Sequence, residues 1–131
     1  PSILRRRTPE ATDLWIGSVM APADLLRSIA RGAGCHLYCD ADEIVYANKS
    51  FLAIHTRAAG ERTFHLRRKS DVVEIFSGDV LGEGVTGFRD RIDAYRTRVY
   101  FLGDRKQWQA ERQRADAFLD EWVKEMKAAR P

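Results

Sequence analysis

The sequence contains few cysteines and no long apolar run. The first argues against a disulfide-stabilised fold, and the second against a membrane-spanning protein. Its 131 residues include two cysteines, Cys35 and Cys39. On an extended strand their sulfurs would lie roughly 13 Å apart, beyond disulfide reach, so we expect free thiols. No apolar stretch approaches the roughly 20 residues that cross a bilayer, and no signal-type apolar core follows the basic start at residues 4–7. We therefore expect a soluble protein without membrane contact, for which a cytoplasmic location is favoured.

The common catalytic and cofactor motifs are also missing from the sequence. There is no Gly-X-Ser-X-Gly nucleophile elbow, and no phosphate-binding loop ends in Gly-Lys-Ser or Gly-Lys-Thr. Gly82 and Gly84 lack the further glycine of a dinucleotide site and are typical of a turn. His36 would lie on the strand face opposite the two cysteines, and no second ligand pair has zinc-finger spacing. We therefore expect no catalytic residue, no metal and no cofactor.

Two histidines come nearest to a catalytic pair. A hairpin that turns near Gly60 would place His55 and His65 opposite each other in one of its registers. With no third ligand or carboxylate partner evident in the sequence, paired strand histidines are more often structural. A non-catalytic protein is therefore favoured, and a small enzyme that uses His55 or His65 is kept as an alternative.

The charge is nearly balanced, which argues against nucleic acid as the main partner. The sequence carries 22 basic and 19 acidic residues, a formal net charge of +3, spread along the chain. One dense basic stretch would attract phosphates if its side chains converged on one face. It consists of Arg57, Arg62, Arg67, Arg68 and Lys69. A solvated strand face is favoured, because exposed strands carry such charges against edge pairing, and a basic nucleic-acid-binding or protein-interaction module is kept as an alternative function.

Residues 35–103 show the period of two that is typical of β-strands. Turn residues separate candidate strands at 35–38, 43–47, 51–56, 62–66, 71–76, 87–92 and 97–102. Alternation places apolar pairs on one face of several strands, and we expect these faces to form the core. The pairs are Leu52 with Ile54, Phe64 with Leu66, Val73 with Ile75, Phe88 with Ile92, and Val99 with Phe101. Because the links are short, we expect antiparallel neighbours in a β-sandwich-like sheet.

Apolar residues at helical spacing occur both before and after the β region. A short helix is predicted within 22–34, because Pro22 suits a first helical turn and Gly32 and Gly34 supply a left-handed stop. A long amphipathic helix over about 105–129, within the segment 104–131, would span roughly 37 Å. The predicted fold class is mainly β with flanking helices, an α+β fold. We expect one domain over 1–131, which starts with an extended arm over 1–21 whose apolar run is at 14–16.

An apolar stripe follows the C-terminal helix at three- and four-residue spacing. It consists of Trp108, Ala115, Phe118, Leu119, Trp122, Val123 and Met126. We expect the stripe mainly to pack on the domain's own sheet. The competing hypothesis is that part of it docks on a partner or on an identical chain, because a small sheet is too short to cover such a helix. The interface candidates are Trp108, Phe118, Leu119, Trp122 and Met126.

Three features of residues 25–103 occur together. Ala47 and Asn48 follow a strand, residues 71–78 fit the pattern Asp-Val-X-X-X-Phe-X-Gly, and an apolar strand closes at Gly103. With these features the stretch resembles the C-terminal β-domain of bacterial glycoside hydrolases, particularly β-galactosidase-like enzymes with a catalytic barrel. Such enzymes commonly end near the position of Gly103, whereas this chain continues into its long helix.

The resemblance implies a non-catalytic accessory module that flanks a barrel and supports assembly or glycan contact. The catalytic carboxylates of that family belong to the barrel, so no catalytic residue is implied here. A catalytic barrel domain or subunit and a carbohydrate are the implied partners. Aromatic rings stack on sugar faces, and the candidates for such contacts are Trp15, Tyr38, Tyr46, Tyr95 and Tyr100.

Overall fold

Antiparallel strands and two helices make up the described part of the protein. The computed structural model describes residues 3–17 and 20–128. The elements in chain order are β1 (Ile3–Arg7), β2 (Thr12–Ile16), α1 (Ala23–Gly32), β3 (Ile44–Ala47), β4 (Phe51–His55), β5 (Gly60–Glu74), β6 (Val80–Ile92), β7 (Thr97–Gly103) and α2 (Arg105–Ala128). The predicted α+β class, mainly antiparallel β with a short N-terminal and a long C-terminal helix, is confirmed.

The chain divides after Leu37 into two compact units. The single domain expected from the sequence stays a prediction. Two sequence expectations extend outside the described residues: the helix end at 129–131, and positions 1, 2, 18 and 19 of the N-terminal arm.

The first unit holds a β-hairpin and a helix. β1 and β2 pair antiparallel, from Ile3 opposite Ile16 to Arg7 opposite Thr12, so the described part of the predicted arm forms a hairpin. α1 follows Pro22 directly. Beyond its end, Gly34 has a φ of 74°, the left-handed conformation that glycine adopts without a steric penalty. The predicted short helix is confirmed. Of the two predicted stop glycines, Gly34 has the left-handed conformation, whereas Gly32 is the last residue of α1.

The second unit is built around a five-stranded antiparallel sheet with the order β3-β4-β7-β5-β6. β4 lies between β3 and β7, and β7 pairs with the last part of β5, from Asp71 to Glu74. The first part of β5, residues 60–65, pairs with β6. Register shifts between His65 and Val73 interrupt the β5–β6 ladder, and irregularities of this kind bend a strand pair.

The bent β5–β6 hairpin and the rest of the sheet enclose one apolar core. The ring centroid of Phe64 lies 4.6 Å from that of Phe88 and 5.4 Å from that of Tyr100 on β7. The core residues are Cys39, Leu52, Ile54, Phe64, Leu66, Val72, Phe88, Ile92, Tyr100 and Leu102. Burial of one large apolar side chain contributes roughly 1.5–3 kcal/mol, so this cluster is the main source of stability in the second unit.

The predicted orientation of β7 is wrong. Val99 and Phe101 are half-buried, whereas Tyr100 and Leu102 are buried in the core. Residues 99–102 are all apolar or aromatic, so alternation alone does not identify the inward face. The predicted pairs confirmed in the core are Leu52 with Ile54, Phe64 with Leu66, and Phe88 with Ile92.

Several predicted strand boundaries are also wrong. Residues 35–37 have no strand structure, although Cys39 forms an isolated bridge with Phe64. The predicted strands at 62–66 and 71–76 belong to one strand, β5, because the polar run at 67–70 stays extended instead of turning. β6 begins at Val80 and includes Gly82 and Gly84, which we expected to form a turn. Both cysteines are free thiols, as predicted.

Candidate functional site

The first turns of α2 are attached to the sheet. Asp104 alone separates β7 from α2. Its Oδ1 accepts hydrogen bonds from the backbone N–H groups of Lys106 at 2.7 Å and Gln107 at 3.3 Å. This side chain is an N-terminal cap, because it satisfies donors that the first helical turn leaves unpaired.

Asp71 of β5 makes a second attachment. Its Oδ2 accepts a hydrogen bond from the backbone N–H of Arg105 at 2.9 Å, and its Oδ1 accepts one from Gly84 at 2.8 Å. These two donors hold the pKa of Asp71 below its usual value. The guanidinium of Arg105 also pairs with the carboxylate of Glu83. One carboxylate of β5 thus joins β6 to the start of α2.

Trp108 and Arg112 complete the attachment, which we call the α2 root (residues 104–112). The indole of Trp108 stacks on Phe101 with ring centroids 5.2 Å apart and an interplanar angle of 26°. Arg112 Nη1 lies 3.5 Å from the carbonyl oxygen of Ile75, to which it donates. Because neighbouring residues of a strand point to opposite faces, Phe101 lies on the face opposite the buried Tyr100. The root therefore covers a second apolar face of the sheet.

Beyond the root, the apolar side chains of α2 are exposed. Phe118 retains 66% of its accessible surface and Trp122 retains 50%, and Leu119, Val123 and Met126 are exposed as well. The expectation that the stripe packs on the domain's own sheet therefore holds for Trp108 and is wrong for these five residues. We call the set Ala115, Phe118, Leu119, Trp122, Val123 and Met126 the α2 stripe.

Charged side chains border the α2 stripe on both sides. At 100° per residue, Arg114 and Glu125 lie along one edge of the stripe, and Asp116 and Lys127 lie along the other. Within the helix, Arg114 Nη1 lies 3.0 Å from a carboxylate oxygen of Glu111. Exposed pairs of this kind contribute at most about 1 kcal/mol, so these charges can also engage a second partner.

The aromatic residues predicted to contact carbohydrate have very different surroundings. Trp15 on β2, Tyr46 on β3 and Tyr95 after β6 are exposed, and Tyr38 is half-buried against the core. Tyr100 is fully buried, so its ring has no face available to a sugar and its assignment is wrong. This error has the same cause as the reversed orientation of β7.

Tyr100 instead belongs to a buried polar network that sequence reasoning missed. Its hydroxyl donates to Asp90 Oδ2 at 2.7 Å. The guanidinium of Arg98 lies 3.8 Å from the same oxygen and 3.6 Å from Glu74 Oε2. Burial raises the pKa of Tyr100, and its hydrogen bond to Asp90 raises it further. The network connects β5, β6 and β7.

Glu74 lies at the end of this network, and its two carboxylate oxygens differ in their hydrogen bonding. Oε2 accepts hydrogen bonds from the backbone N–H groups of Phe76 at 3.1 Å and Ser77 at 2.7 Å. Oε1 is buried and has no hydrogen-bond partner within the described part of the chain. A buried acceptor without a partner costs about 1–3 kcal/mol, and more when it is charged. Such a group requires an explanation.

A cavity of about 300 Å³, which we call the Glu74 cavity, opens beside this carboxylate. The turn after β5 and the segment around the β6–β7 connection supply its lining, which consists of Glu74, Phe76, Asp93, Arg96, Thr97 and Arg98. Phe76 lines the cavity although 71% of its surface is exposed. One signal in the sequence points here, since Glu74 is the only charged residue in the apolar run 72–76.

The two histidines do not face each other. His55 on β4 is opposite Ile44 and Thr97, whereas His65 on β5 is opposite Gly87. The predicted pairing is wrong because β7 lies between β4 and β5 in the sheet. His55 Nδ1 lies 2.9 Å from Thr97 Oγ1, which connects this ring to a residue of the Glu74 cavity.

The basic stretch does not form one exposed patch. Arg62 retains only 12% of its side-chain surface and lies 2.5 Å from the carboxylate of Glu43. Burial would raise the pKa of Glu43, but hydrogen bonds from the Arg62 side chain and the Arg57 backbone outweigh it and lower that pKa. Arg68 donates to the carbonyl oxygen of Lys49 at 3.1 Å. The ion pair with Glu43 thus removes Arg62 from the phosphate-binding surface that the alternative function requires.

Among residues 3–17 and 20–128, no group of three or more His, Cys, Asp and Glu side chains is placed to hold a metal ion. Neither helix, over the residues that are described, has the combined length and apolar character that crossing a membrane demands. Comparisons with protein-family models, curated proteins and solved structures find no match to the chain.

Proposed function

We propose that this chain is a non-catalytic accessory β-domain that joins two copies of its protein through their α2 helices. The α2 stripe carries the proposal, because large apolar side chains are exposed on a helix that is held firmly at its root. Contiguous exposed apolar surface on a folded protein marks an interaction site. The resemblance to the C-terminal β-domain of glycoside hydrolases supports the accessory role, with catalysis assigned to a barrel in the same assembly.

The α2 stripe is symmetric about its own midpoint, which favours a second copy as the partner. From Ala115 to Met126 its members follow one another in steps of three, one, three, one and three residues. A two-fold axis between positions 120 and 121 therefore superposes the pattern on itself in an antiparallel pair. The axis places Ala115 opposite Met126, Phe118 opposite Val123, and Leu119 opposite Trp122. Each pair combines a smaller with a larger side chain, an arrangement that favours interdigitated packing across facing positions.

The charges beside the stripe fit the same arrangement. In an antiparallel pair related by this axis, each edge of the stripe meets the same edge of the second copy. Arg114 then comes within about 3 Å, measured along the helix axis, of Glu125 in the second copy. Asp116 comes equally close to Lys127 on the other edge. A parallel, in-register pair brings different edges together and sets Arg114 equally close to Asp116 of the second copy. The charges therefore fit both orientations, and the symmetry of the apolar steps is what favours the antiparallel one.

The length of the stripe predicts reversible pairing. Residues 115–126 span about 18 Å of helix. Interfaces that bury less than roughly 1,200 Å² in total are typical of weak or transient complexes. We therefore expect a dissociation constant in the micromolar range for the isolated chain.

Sedimentation velocity over a concentration series tests this function. The wild-type chain should change from monomer to dimer as the concentration rises. Phe118→Asp and Trp122→Asp should stay monomeric, because each places a charge inside the apolar contact. Ala117→Asp adds the same charge to the opposite side of α2 and, as the matched control, should dimerise like the wild type. A wild-type chain that stays monomeric up to millimolar concentration would refute the proposal.

Charge reversal tests the orientation. Arg114→Glu and Glu125→Arg should each weaken the dimer, because either change places like charges together across the interface. The double variant restores opposite charges and should recover most of the wild-type affinity. If the double variant is weaker than both single variants, the antiparallel arrangement is wrong.

A further inference from the structure

The first unit contains a cavity of about 680 Å³, lined by the β1–β2 hairpin and α1, which we call the hairpin cavity. The strands contribute alternate residues to its lining: Arg5 and Arg7 from β1, and Thr12 and Leu14 from β2. Arg5 is opposite Leu14 in the antiparallel register, and alternate residues of a strand share a face, so all four side chains lie on one face of the hairpin. The residues of the other face, such as Arg6, do not line the cavity. The four lining residues therefore turn their side chains, and not only their backbone, toward it.

Two arginines give this wall a positive charge that the fold leaves uncompensated. Within residues 3–17 and 20–128, neither the Arg5 nor the Arg7 guanidinium makes a hydrogen bond or an ion pair. Two residues apart on a strand, their Cα atoms are separated by about 6.8 Å, which two long side chains can bridge to reach one anion. A guanidinium presents a planar fork of N–H donors that matches the two oxygens of a carboxylate. The pair is thus suited to hold one carboxylate group.

Glu10, in the turn between β1 and β2, adds one negative charge to the lining. Two arginines against one glutamate leave a net formal charge of +1. A monoanion such as a carboxylate neutralises this charge, whereas a phosphate dianion would leave an excess of negative charge beside Glu10. The lining therefore favours a carboxylate over a phosphate.

The α1 side of the cavity is small and apolar. It consists of Ser28, Ile29, Gly32 and Ala33. The Ser28 hydroxyl donates to the carbonyl oxygen of Asp24 at 2.9 Å, so its hydrogen is already used within the helix. At Gly32 an added Cβ would have no atom within 4 Å, which shows open space beside the helix. Ile29 and, across the cavity lining, Leu14 supply apolar surface that becomes more stable when a ligand removes it from water.

We propose that the hairpin cavity binds a small carboxylate with an apolar chain, such as a medium-chain fatty acid. Arg5 and Arg7 hold the carboxylate, and the chain lies against Leu14 and Ile29. The volume of about 680 Å³ is in the middle of the range for ligand pockets, roughly 300–1,000 Å³. It leaves room for a chain of several carbon atoms beside the carboxylate.

Chemical-shift titration of the ¹⁵N-labelled full chain tests the ligand class. The probes are sodium acetate, sodium hexanoate, sodium octanoate, 1-octanol and sodium phosphate, each titrated separately. Octanoate should produce saturable shifts at residues 5–14 and 28–33. Affinity should rise from acetate to octanoate by about twofold to fourfold for each methylene that the cavity covers. Octanol lacks the charge and should bind at least about tenfold more weakly than octanoate.

Three results of this titration would overturn the proposal. The first is the absence of saturable shifts with octanoate, or shifts confined to the α2 stripe. The second is octanol binding as tightly as octanoate, which would show that the arginines take no part. The third is phosphate binding more tightly than octanoate, which would assign the cavity to a different anion.

Arginine variants connect the binding to the charged wall. Arg5→Gln and Arg7→Gln should each weaken octanoate binding roughly tenfold, because each removes hydrogen bonds to a charged group. Arg6→Gln is the matched control, since it removes the same charge one position away, on the face where Arg6 is opposite Asp13. Its octanoate affinity should stay within about twofold of the wild type. Equal losses in all three variants would indicate a general charge effect and overturn the assignment.

Leucine variants test the apolar wall in the same way. Leu14→Asn should reduce the gain in affinity from acetate to octanoate, because it replaces apolar surface in the cavity by an amide. Leu4→Asn makes the same change on the opposite face and should keep the wild-type gain. All the substituted side chains are exposed, so the variants should fold, and their amide spectra check this. If an arginine variant does not fold, the ligand series and this leucine pair decide, and equal effects of the two leucine variants would refute the site.

Discussion

Trp108 stacks on Phe101 across the junction between helix and sheet, with 5.2 Å between ring centroids. Phe101 is on the face of β7 opposite the core, whereas the neighbouring Tyr100 is buried inside it. β7 therefore contributes aromatic side chains to both faces of the sheet. The stability of the sheet and the attachment of α2 consequently depend on the same strand.

Trp108→Ala should lower the free energy of unfolding by about 2 kcal/mol, less than the loss for a fully buried tryptophan. The indole is half-buried against Phe101, and its removal uncovers the second apolar face. Urea unfolding followed by circular dichroism measures the change. Trp122→Ala in the same helix is the control and should change stability by less than about 0.5 kcal/mol under conditions in which the chain is monomeric. Equal losses in the two variants would contradict the described root.

Gly87→Ala should destabilise the protein by about 2 kcal/mol, because a Cβ at this position is forced against backbone. It would lie 2.7 Å from the carbonyl oxygen of Phe64. Gly32→Ala, at the end of α1, has no atom within 4 Å of the added Cβ. That variant should be as stable as the wild type or more stable by up to about 1 kcal/mol. Thermal unfolding of both variants compares them, and a neutral Gly87→Ala would contradict the close approach of β5 and β6.

Asp71→Asn should reduce stability at neutral pH and make the protein less sensitive to acid. The pKa of Asp71 is lower in the folded chain than its ordinary value, so the unfolded chain takes up a proton first as the pH falls. The stabilisation is therefore complete above the ordinary range near pH 4 and is lost as the pH falls through the lower folded value. Urea unfolding at a series of pH values measures the slope, with Asp120→Asn as a control for the removed charge. A variant with the wild-type slope would contradict this role.

Tyr100→Phe should cost about 1.5–3 kcal/mol, the usual contribution of a hydrogen bond to a charged group. It removes the donor to Asp90 and leaves the rest of the buried ring in place. Tyr46→Phe, on the exposed edge strand β3, should have no measurable effect. Denaturant unfolding distinguishes the two, and a neutral Tyr100→Phe would show that Arg98 alone satisfies Asp90.

The fold class was predictable because it depends on local periodicity. Strand alternation in residues 51–55 and helical spacing in residues 115–126 each have one apolar face, and both elements were identified. Prediction failed where a strand is covered on both sides, as in β7. It also failed in β5, where the polar run at 67–70 has the composition of a turn and yet continues as strand. In both cases tertiary contacts override the local pattern.

The candidate sites were predictable to different degrees. The α2 stripe is contiguous in sequence, so its members were found, although its exposure depends on where the sheet ends. The Glu74 cavity combines Phe76 with residues such as Arg96, which are close only because β5 and β7 pair. Its one sequence signal, an acidic residue in an apolar run, identifies a buried carboxylate and not the cavity beside it.

The one-residue connection between β7 and α2 has a mechanical consequence. Asp104 caps the helix while Asp71 holds its first residue, so the helix cannot swing without breaking both attachments. Two chains paired through α2 would thus be held at a fixed separation and angle, as by a rigid strut. A short Gly-Ser insert after Gly103 would make this connection flexible. The two helices would still pair, but the distance and angle between the two sheets, and between any domains attached to them, would no longer be fixed.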